Sequence, residues 1–454
     1  MTIDLRTFTP FGEVVARGRA LRELAPPGRI GSVVGADRPD VLDYVDSSNR
    51  GRLAHLLPLR VGRMVSSPFA FFRGAAGLHA ADLAGVPTSG LSAQLCGDAH
   101  AANFGLYGTS DGDIVMDIND FDETVPGPWE WDLLRLAASL VLAGREGDVD
   151  ADGCREAACD AAESYRRTMA ELAELPFLQA WSALPDETVI SRAKADALLD
   201  DFAKAAKKAR KNTSAKVVAK WAAHLDDHET GIRRYKFVAD PPILTHVSAA
   251  VADSVIDGLE PYAATLRESR QPLIARFAVS DVAFRIVGTG SVGLRSYVVL
   301  LHGNRDEVLV LQVKQARPSA LLPYLPVPPA EHEGQRIVQG ARFVQAETDI
   351  LLGWTTIDGI PFIVRQFRNL KGDIDPTRLS GDHLDDYGRL AGALLARAHA
   401  RSLDPRLLCG YLSDDEGFAA AVADYAVRYA DQTERDHAVL DAAVASGRVA
   451  AEFG

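Results

Sequence analysis

Apolar residues recur at helical spacing over most of this chain, and that spacing gives way to strand-like runs in one long internal block. Helical periodicity appears first near residues 13–24, before a Pro-Pro-Gly break at 26–28. It returns in GPWEWDLLRLAASLVLAG, where Leu133, Leu136, Ala137 and Leu140 share a face and predict an amphipathic helix over 131–141. From Ala151 to about His224 the pattern stays helical, broken at Leu175-Pro176 and Leu184-Pro185. At Asp281 the texture changes. Residues 284–287, 296–301 and 308–314 read as strands, the last two joined by a turn at Gly303-Asn304. A proline-rich link leads to a helix over 331–347, and two further strands, 350–357 and 361–367, complete a five-stranded sheet with one helix packed on it. LDDYGRLAGALLARAHARS and the alanine-rich tail from Asp414 are helical again. The expectation is an α+β fold, bilobal, with a small β-rich lobe and a larger helical lobe.

Composition narrows the function classes. The 454 residues are 47% hydrophobic and 24% charged, ample for two lobes. A net charge of −13 argues against general affinity for nucleic acid or an anionic membrane. The first twenty residues, MTIDLRTFTPFGEVVARGRA, carry charges throughout, and no later run approaches the roughly 18 apolar residues of a membrane span, so a cytoplasmic protein is expected. Cys96, Cys154, Cys159 and Cys409 form no C-x-x-C pair, which speaks against a disulfide framework or structural zinc. Residues 1–60 show no catalytic pattern. An aromatic plug at 68–72 has Arg60, Arg63 and Arg73 close by, and it reads as an anchor for the segment that follows, with an Arg able to reach a phosphate. The lysine run from Lys204 to Lys220 is a solvated helix face or a guide for an acidic substrate.

Candidate chemistry concentrates between Leu95 and Asp132. Asp98, His100, Asn103, Asp117, Asp120, Asp122 and Glu123 fall in under thirty residues, where so many carboxylates repel unless a cation sits among them. Gly97-Asp98, then Asn103 five residues on, then a short strand 114–116 delivering Asp120, is the layout in which one Asp meets a substrate hydroxyl while Asn and a second Asp hold Mg²⁺ on nucleotide phosphates. A solvated acidic turn is the plainer alternative, since Asp, Asn and Gly are ordinary turn residues. Cys96 reads as a small buried residue and His100 as a buried hydrogen-bonding residue that fixes the loop. Asp132 opens the next helix, where it can accept backbone N–H groups or brace the loop.

A second motif lies far downstream. Gly288-Thr289-Gly290-Ser291-Val292-Gly293 matches G-x-G-x-x-G, which most often marks a dinucleotide fold, but that fold needs a helix directly after the glycines. Here a β run follows. The segment is read as the turn of a hairpin lying over phosphates, with N–H groups pointing down. In the third strand Gln312 and Lys314 share one face, from which Lys314 can meet phosphate oxygens, and Glu333 nineteen residues on can orient that lysine from the next helix.

Kinase-like enzymes place the β lobe before the catalytic and metal loops, whereas this chain places it after them. Moving residues 280–401 ahead of 91–235 restores the usual order. The segment GDAHAANFG…DINDFDE…WEWDLLRLA is similar to the active-site segment of aminoglycoside and choline-type phosphotransferases, and GRLAGALLARAHA is similar to the helix preceding it there. On SPFAFFRGAA, QLCGDAHAANFG, DINDFDET, GPWEWD, VGTGSVG and QVKQARPS, the chain is identified as a member of an uncharacterised bacterial family, common in actinobacteria and labelled a domain of unknown function. The kinase-like resemblance implies a circularly permuted protein-kinase-like fold. Its parts would be an N-terminal extension and anchor (1–90), the catalytic and metal loops with helices of the C-lobe (91–240), a nucleotide-binding N-lobe (241–375), and the completing helices (376–454).

Carried over residue by residue, Asp98 becomes the catalytic base, and Asn103 and Asp120 become Mg²⁺ ligands. Gly288, Gly290, Ser291 and Gly293 become the phosphate cover, and Lys314 with Glu333 the phosphate clamp. Asp122 stands where Asp-Phe-Gly would have its glycine, which makes it a further metal ligand. The implied activity is ATP- and Mg²⁺-dependent phosphoryl transfer to a hydroxyl of a protein Ser/Thr or a small molecule, with a second copy of the chain as a further partner. Nucleotidyl (AMP) transfer on the same fold, a non-catalytic nucleotide-binding scaffold and a metal-dependent hydrolase built on Asp98, His100 and Asp117 are the alternatives.

Overall fold

The computed structural model describes residues 7–31, 38–109, 112–182, 193, 195–226, 233–286, 288, 290–413 and 417–453. The break expected at Leu184-Pro185, and Val287, Thr289 and Asp414, lie outside them. Helices α1 (Phe11–Leu24), α2 (Val41–Asn49), α3 (Leu57–Val65), α4 (Pro68–Gly74) and α5 (Ala76–Leu83) come first. The aromatic plug is α4 itself. Ser67 caps it by accepting from Ala70 N–H, Pro68 opens its first turn, and Phe69, Phe71 and Phe72 are buried.

Strands β1 (Ser92–Gln94), β2 (Phe104–Gly108), β3 (Ile114–Ile118) and β4 (Pro126–Pro128) carry the acidic stretch, with β2 and β3 paired as a hairpin. Next come α6 (Trp129–Glu146) and α7 (Ala151–Glu174). The sequence predicts α6 as amphipathic, but residues 129–144 are buried on every face, Glu130, Asp132 and Arg135 included. A helix enclosed by α7 and by helices from the far end of the chain has no solvent side, and its polar residues are there to bond other parts of the protein.

The exposed lysine face belongs to α8 (Leu199–Ala209) and α9 (Ser214–Trp221). After β5 (Ala222–Asp226) and β6 (Arg233–Phe237), the main sheet begins with β7 (Leu244–His246), followed by α10 (Ala249–Asp257) and α11 (Leu259–Thr265). It continues through β8 (Ala278–Arg285), β9 (Ser296–His302), β10 (Val308–Gln315), α12 (Glu333–Val344), β11 (Gly353–Ile357) and β12 (Ile360–Gln366). Six strands lie in the order β11-β12-β10-β9-β8-β7, antiparallel at every pairing, one more than the five expected. The added β7 is three residues long, too short for its alternation to show. An all-antiparallel sheet excludes the parallel dinucleotide fold. On β10, Leu311 and Val313 are buried with Tyr262 of α11, and alternation turns Gln312 and Lys314 to the opposite face.

The chain returns to the helical part through β13 (Gly372–Asp373), which pairs with β2. It ends with α13 (Asp382–His399), α14 (Pro405–Leu412) and α15 (Phe418–Ala445). Gly392 lets α13 lie directly on α7, since a Cβ there would collide with the Ala161 carbonyl. The architecture is mixed α+β, with a small sheet-rich part and a larger helical part. No helix among the described residues is long and apolar enough to cross a membrane.

Candidate active-site cleft

Gly97 starts the site. Its φ is +82°, and a Cβ would strike the Glu123 carbonyl, so the Asp98 turn packs backbone to backbone against the second acidic loop. Asp132 holds the turn from the first helical turn of α6, accepting from Cys96 N–H at 2.6 Å and Gly97 N–H at 2.9 Å. Its carboxylate also lies 3.3 Å from His399 Nε2, and His399 Nδ1 lies 2.9 Å from the Tyr165 hydroxyl. Asn103 ties the two loops together. Its Nδ2 donates to the carbonyls of Asp98 and Asp120, both at 3.0 Å.

The Asp98 carboxylate accepts from Arg135 Nε at 2.5 Å. Arg135 lies 4.2 Å over the Phe72 ring and donates to the Phe72 carbonyl, a support the sequence reading missed although Arg135 is one turn beyond Asp132. His100 corrects an expectation. Its Nε2 is 3.8 Å from Asp98 Oδ2, beyond hydrogen-bond reach, and its buried Nδ1 has no partner. Burial pushes its pKa down to about 4, so the ring is neutral. The backbone fixes the loop instead, with His100 N–H donating to Asp98 O at 2.8 Å. Cys96 is buried as expected, and burial drives its thiol pKa well up.

Lys314 and Asp120 are 194 residues apart in sequence and meet at 3.4 Å. The same ammonium is 2.5 Å from Asp122 Oδ2. Burial opposes the charge, yet the two carboxylates outweigh it and raise the Lys314 pKa. Against the same burial, Lys314 and Arg365 hold Asp120 low, while burial and the Asp120 charge push Asp122 up.

The expected Lys314–Glu333 pair does not form. Glu333 opens α12 and accepts from Arg336 one turn on at 2.6 Å. Arg336 then donates to the carbonyls of Thr124, Asp122 and Arg317 at 2.6, 2.8 and 2.8 Å. The helix therefore grips the acidic loop through Arg336.

The glycine-rich segment joins β8 to β9 as a hairpin loop and is held from outside the sheet. Arg63 donates to Gly288 O, and Arg52 to Gly290 O at 2.8 Å and Val292 O at 2.6 Å. Gly288 has φ +63°. Gly288, Gly290 and Ser291 line a cavity of about 480 Å³ together with Asp98, Asn103, Asp120 and Asp122. Gly293 is turned away from it, onto the side chain of Arg52. A second cavity, about 360 Å³, is lined by Lys314, Gln312 and Arg285 and by Phe367, Arg368, Gly372 and Asp373, and it shares Asp120, Gly288 and Ser291 with the first. Arg365 and Lys371 border both and carry no motif that would have identified them. Burial first, then Arg365, depresses Lys371 to about 7.

Asn103, Asp120 and Asp122 suit a hard divalent cation. The Asn103 amide N–H groups are taken by carbonyls, which leaves its oxygen as a ligand, and the buried Asp122 Oδ1 has no hydrogen-bond partner among the described residues. Asp117, by contrast, is fully buried, 2.5 Å from Arg397, and accepts from Ala346 N–H, so the hydrolase set Asp98, His100 and Asp117 is not assembled at the cleft.

The family described as "uncharacterized protein conserved in bacteria (DUF2252)" matches residues 52–443. Neither the curated proteins nor the solved structures contain a match.

Proposed function

The chain belongs to that uncharacterised bacterial family, and from its cleft we propose that it is an ATP- and Mg²⁺-dependent phosphotransferase on a circularly permuted kinase-like fold, working in the cytoplasm. One observation carries the reading. Lys314 from the sheet meets Asp120 and Asp122 from the helical part, at a cleft that also holds Asp98, Asn103 and the Gly288–Ser291 loop. These are the parts that a phosphotransferase reading calls for, and the chain supplies them in the reverse of the usual order.

In this reading Lys314 and the N–H groups of the glycine-rich loop bind nucleotide phosphates. Asn103, Asp120 and Asp122 would hold Mg²⁺, which would neutralise phosphate oxygens. Asp98, steadied by Arg135, takes the proton of the acceptor hydroxyl as its oxygen bonds to the γ-phosphorus and the bond from that phosphorus to the β-phosphate oxygen breaks, releasing ADP. The braces from Asp132, Asn103 and Arg336 fix these groups before substrate arrives.

Asp98→Asn keeps the loop's shape and removes the base. Nucleotide affinity in the presence of Mg²⁺ should change little, while transfer falls by roughly 10² to 10⁴-fold. Asp120→Asn should weaken Mg²⁺-dependent nucleotide binding and turnover together. Calorimetry with and without Mg²⁺, alongside autophosphorylation and a screen of cell-extract acceptors, checks both variants. A product heavier by about 80 Da is the expected phosphoryl product, and one heavier by about 329 Da would replace it with nucleotidyl transfer. If Asp98→Asn abolishes nucleotide binding while Asp120→Asn alters neither binding nor turnover, the assigned roles are wrong.

A further inference from the structure

Besides Arg365, which borders both cavities, four arginines line the larger one beside Asp98: Arg52, Arg60, Arg73 and Arg317. Three come from the N-terminal segment before the acidic loops, and Arg317 follows β10. Arg60 is 1% exposed, donates to Asn49 Oδ1 at 2.7 Å and Gly74 O at 3.3 Å, and leaves Nε without a partner. The buried Nε of Arg73 also has none, and its guanidinium lies 5.8 Å from the Phe69 ring. Arg52 donates to the carbonyls of Ser48, Gly290 and Val292, and Arg317 to those of Ser48 and Arg50. Among the described residues none of the four has a carboxylate partner, whereas Arg135 and Arg397, as buried as Arg60, are paired with Asp98 and Asp117; Arg52, Arg73 and Arg317 are half-buried.

Carbonyl oxygens can be satisfied by neutral donors, so the backbone contacts do not explain four guanidinium groups without a paired carboxylate at one cavity. The cost is visible at Arg52, which burial first, then Arg60 and Arg317, push down to about 9. Asp98, Asp120, Asp122 and Glu123 line the cavity too, but Asp98 is paired with Arg135, Asp120 and Asp122 with Lys314, and Glu123 accepts from Ala320 N–H while burial raises its pKa. Guanidinium groups without counter-ions, in a chain of net charge −13, mark a place for an anion that arrives from solution. Lys314 borders the other cavity and not this one. The two cavities meet at Asn119, Asp120, Gly288, Ser291, Arg365 and Lys371, so that a nucleotide on Lys314 and an acceptor beside Asp98 would occupy adjoining spaces with the transferring phosphate between them.

We propose that this arginine pocket binds a phosphate group on the acceptor, so that the substrate is a small phosphorylated hydroxyl compound and not a protein side chain or a neutral alcohol. The assignment rests on the phosphotransferase reading above. Four cations suit a dianionic phosphate better than a single carboxylate.

The test uses the full chain saturated with Mg²⁺ and a non-hydrolysable ATP analogue, titrated calorimetrically with inorganic phosphate, glycerol 3-phosphate and glycerol. Phosphate and glycerol 3-phosphate are expected to bind and glycerol not to. Arg73→Gln gives up no hydrogen bond among the described residues, and Arg317→Gln gives up only two to carbonyls. Each should weaken phosphate binding about tenfold or more and leave affinity for the analogue within about twofold. Phosphate binding indifferent to both substitutions, displacement of the analogue by phosphate, or a matching loss of analogue affinity in the variants overturns the acceptor assignment alone. Failure of the wild-type chain to bind the analogue overturns the phosphotransferase reading and the acceptor assignment with it.

Discussion

Glu130 shows what burial does to a single residue. Its Oε1 accepts from Ser89 N–H at 2.6 Å, its Oε2 is buried without a partner, and burial raises its pKa from 4.5 to about 7. The folded state therefore binds a proton that the unfolded state releases between those values. The associated stability is fully present below pH 4.5 and is lost as pH rises through about 7, a change of roughly 3 kcal/mol. Glu130→Gln should flatten that dependence, read from urea midpoints at pH 5, 6, 7 and 8. An unaltered slope would move the effect elsewhere. Gly97 is the opposite case, where backbone geometry decides. Gly97→Ala forces a Cβ into the Glu123 carbonyl at positive φ and should cost about 1–3 kcal/mol or more, measured by thermal unfolding, with nucleotide binding lost alongside.

Among the elements, α12 connects the sheet to the acidic loop. It packs on β11 and β12, and Arg336 reaches three carbonyls that no other described side chain is seen to satisfy. Arg336→Ala leaves those carbonyls and Glu333 unpartnered and should destabilise the chain by roughly 2–4 kcal/mol. Raised hydrogen exchange across residues 119–125, with the distant α7–α13 packing unchanged, would show that the loss is local. If the loop exchanges as in the wild type, the helix is not what holds it.

At the scale of the whole molecule, the main core of the helical part is separate from the core under the sheet, which holds Tyr262, Val299, Leu311 and Val313. The cleft between them is crossed by Lys314. Lys314→Met would leave Asp120 and Asp122 facing each other without their cation. A fully buried pair broken this way loses about 3–5 kcal/mol. The Asp120 side chain is 43% exposed, so solvent takes up part of the charge and the loss should be smaller. Mg²⁺ should recover stability in Lys314→Met more than in the wild type, read as a shift in unfolding temperature. If it recovers none, these carboxylates do not form a cation site.

The sequence alone determined what depends on neighbours in the chain. Alternation placed Gln312 and Lys314 on one face of β10, and the lack of a helix after Gly293 excluded the dinucleotide fold. The spacing of Asp98, Asn103 and Asp120 singled out the loops that share the cleft, and Asp132 was legible as their brace because an acid in a first helical turn meets free N–H groups. What only the tertiary structure decided depends on residues far apart in the chain. Helical period gave α6 a polar side that its neighbours removed. A helix register that pairs Glu333 with Arg336 took it from Lys314, and Arg135 found Asp98 only because α6 packs beneath the loop. The sequence showed Arg60 and Arg73 as cations beside an aromatic plug, one of them able to reach a phosphate, but nothing in it joined them to Arg52 and Arg317. They became a pocket when folding brought them to one cavity without pairing any of them with a carboxylate, and a charge's worth is set by what surrounds it in space.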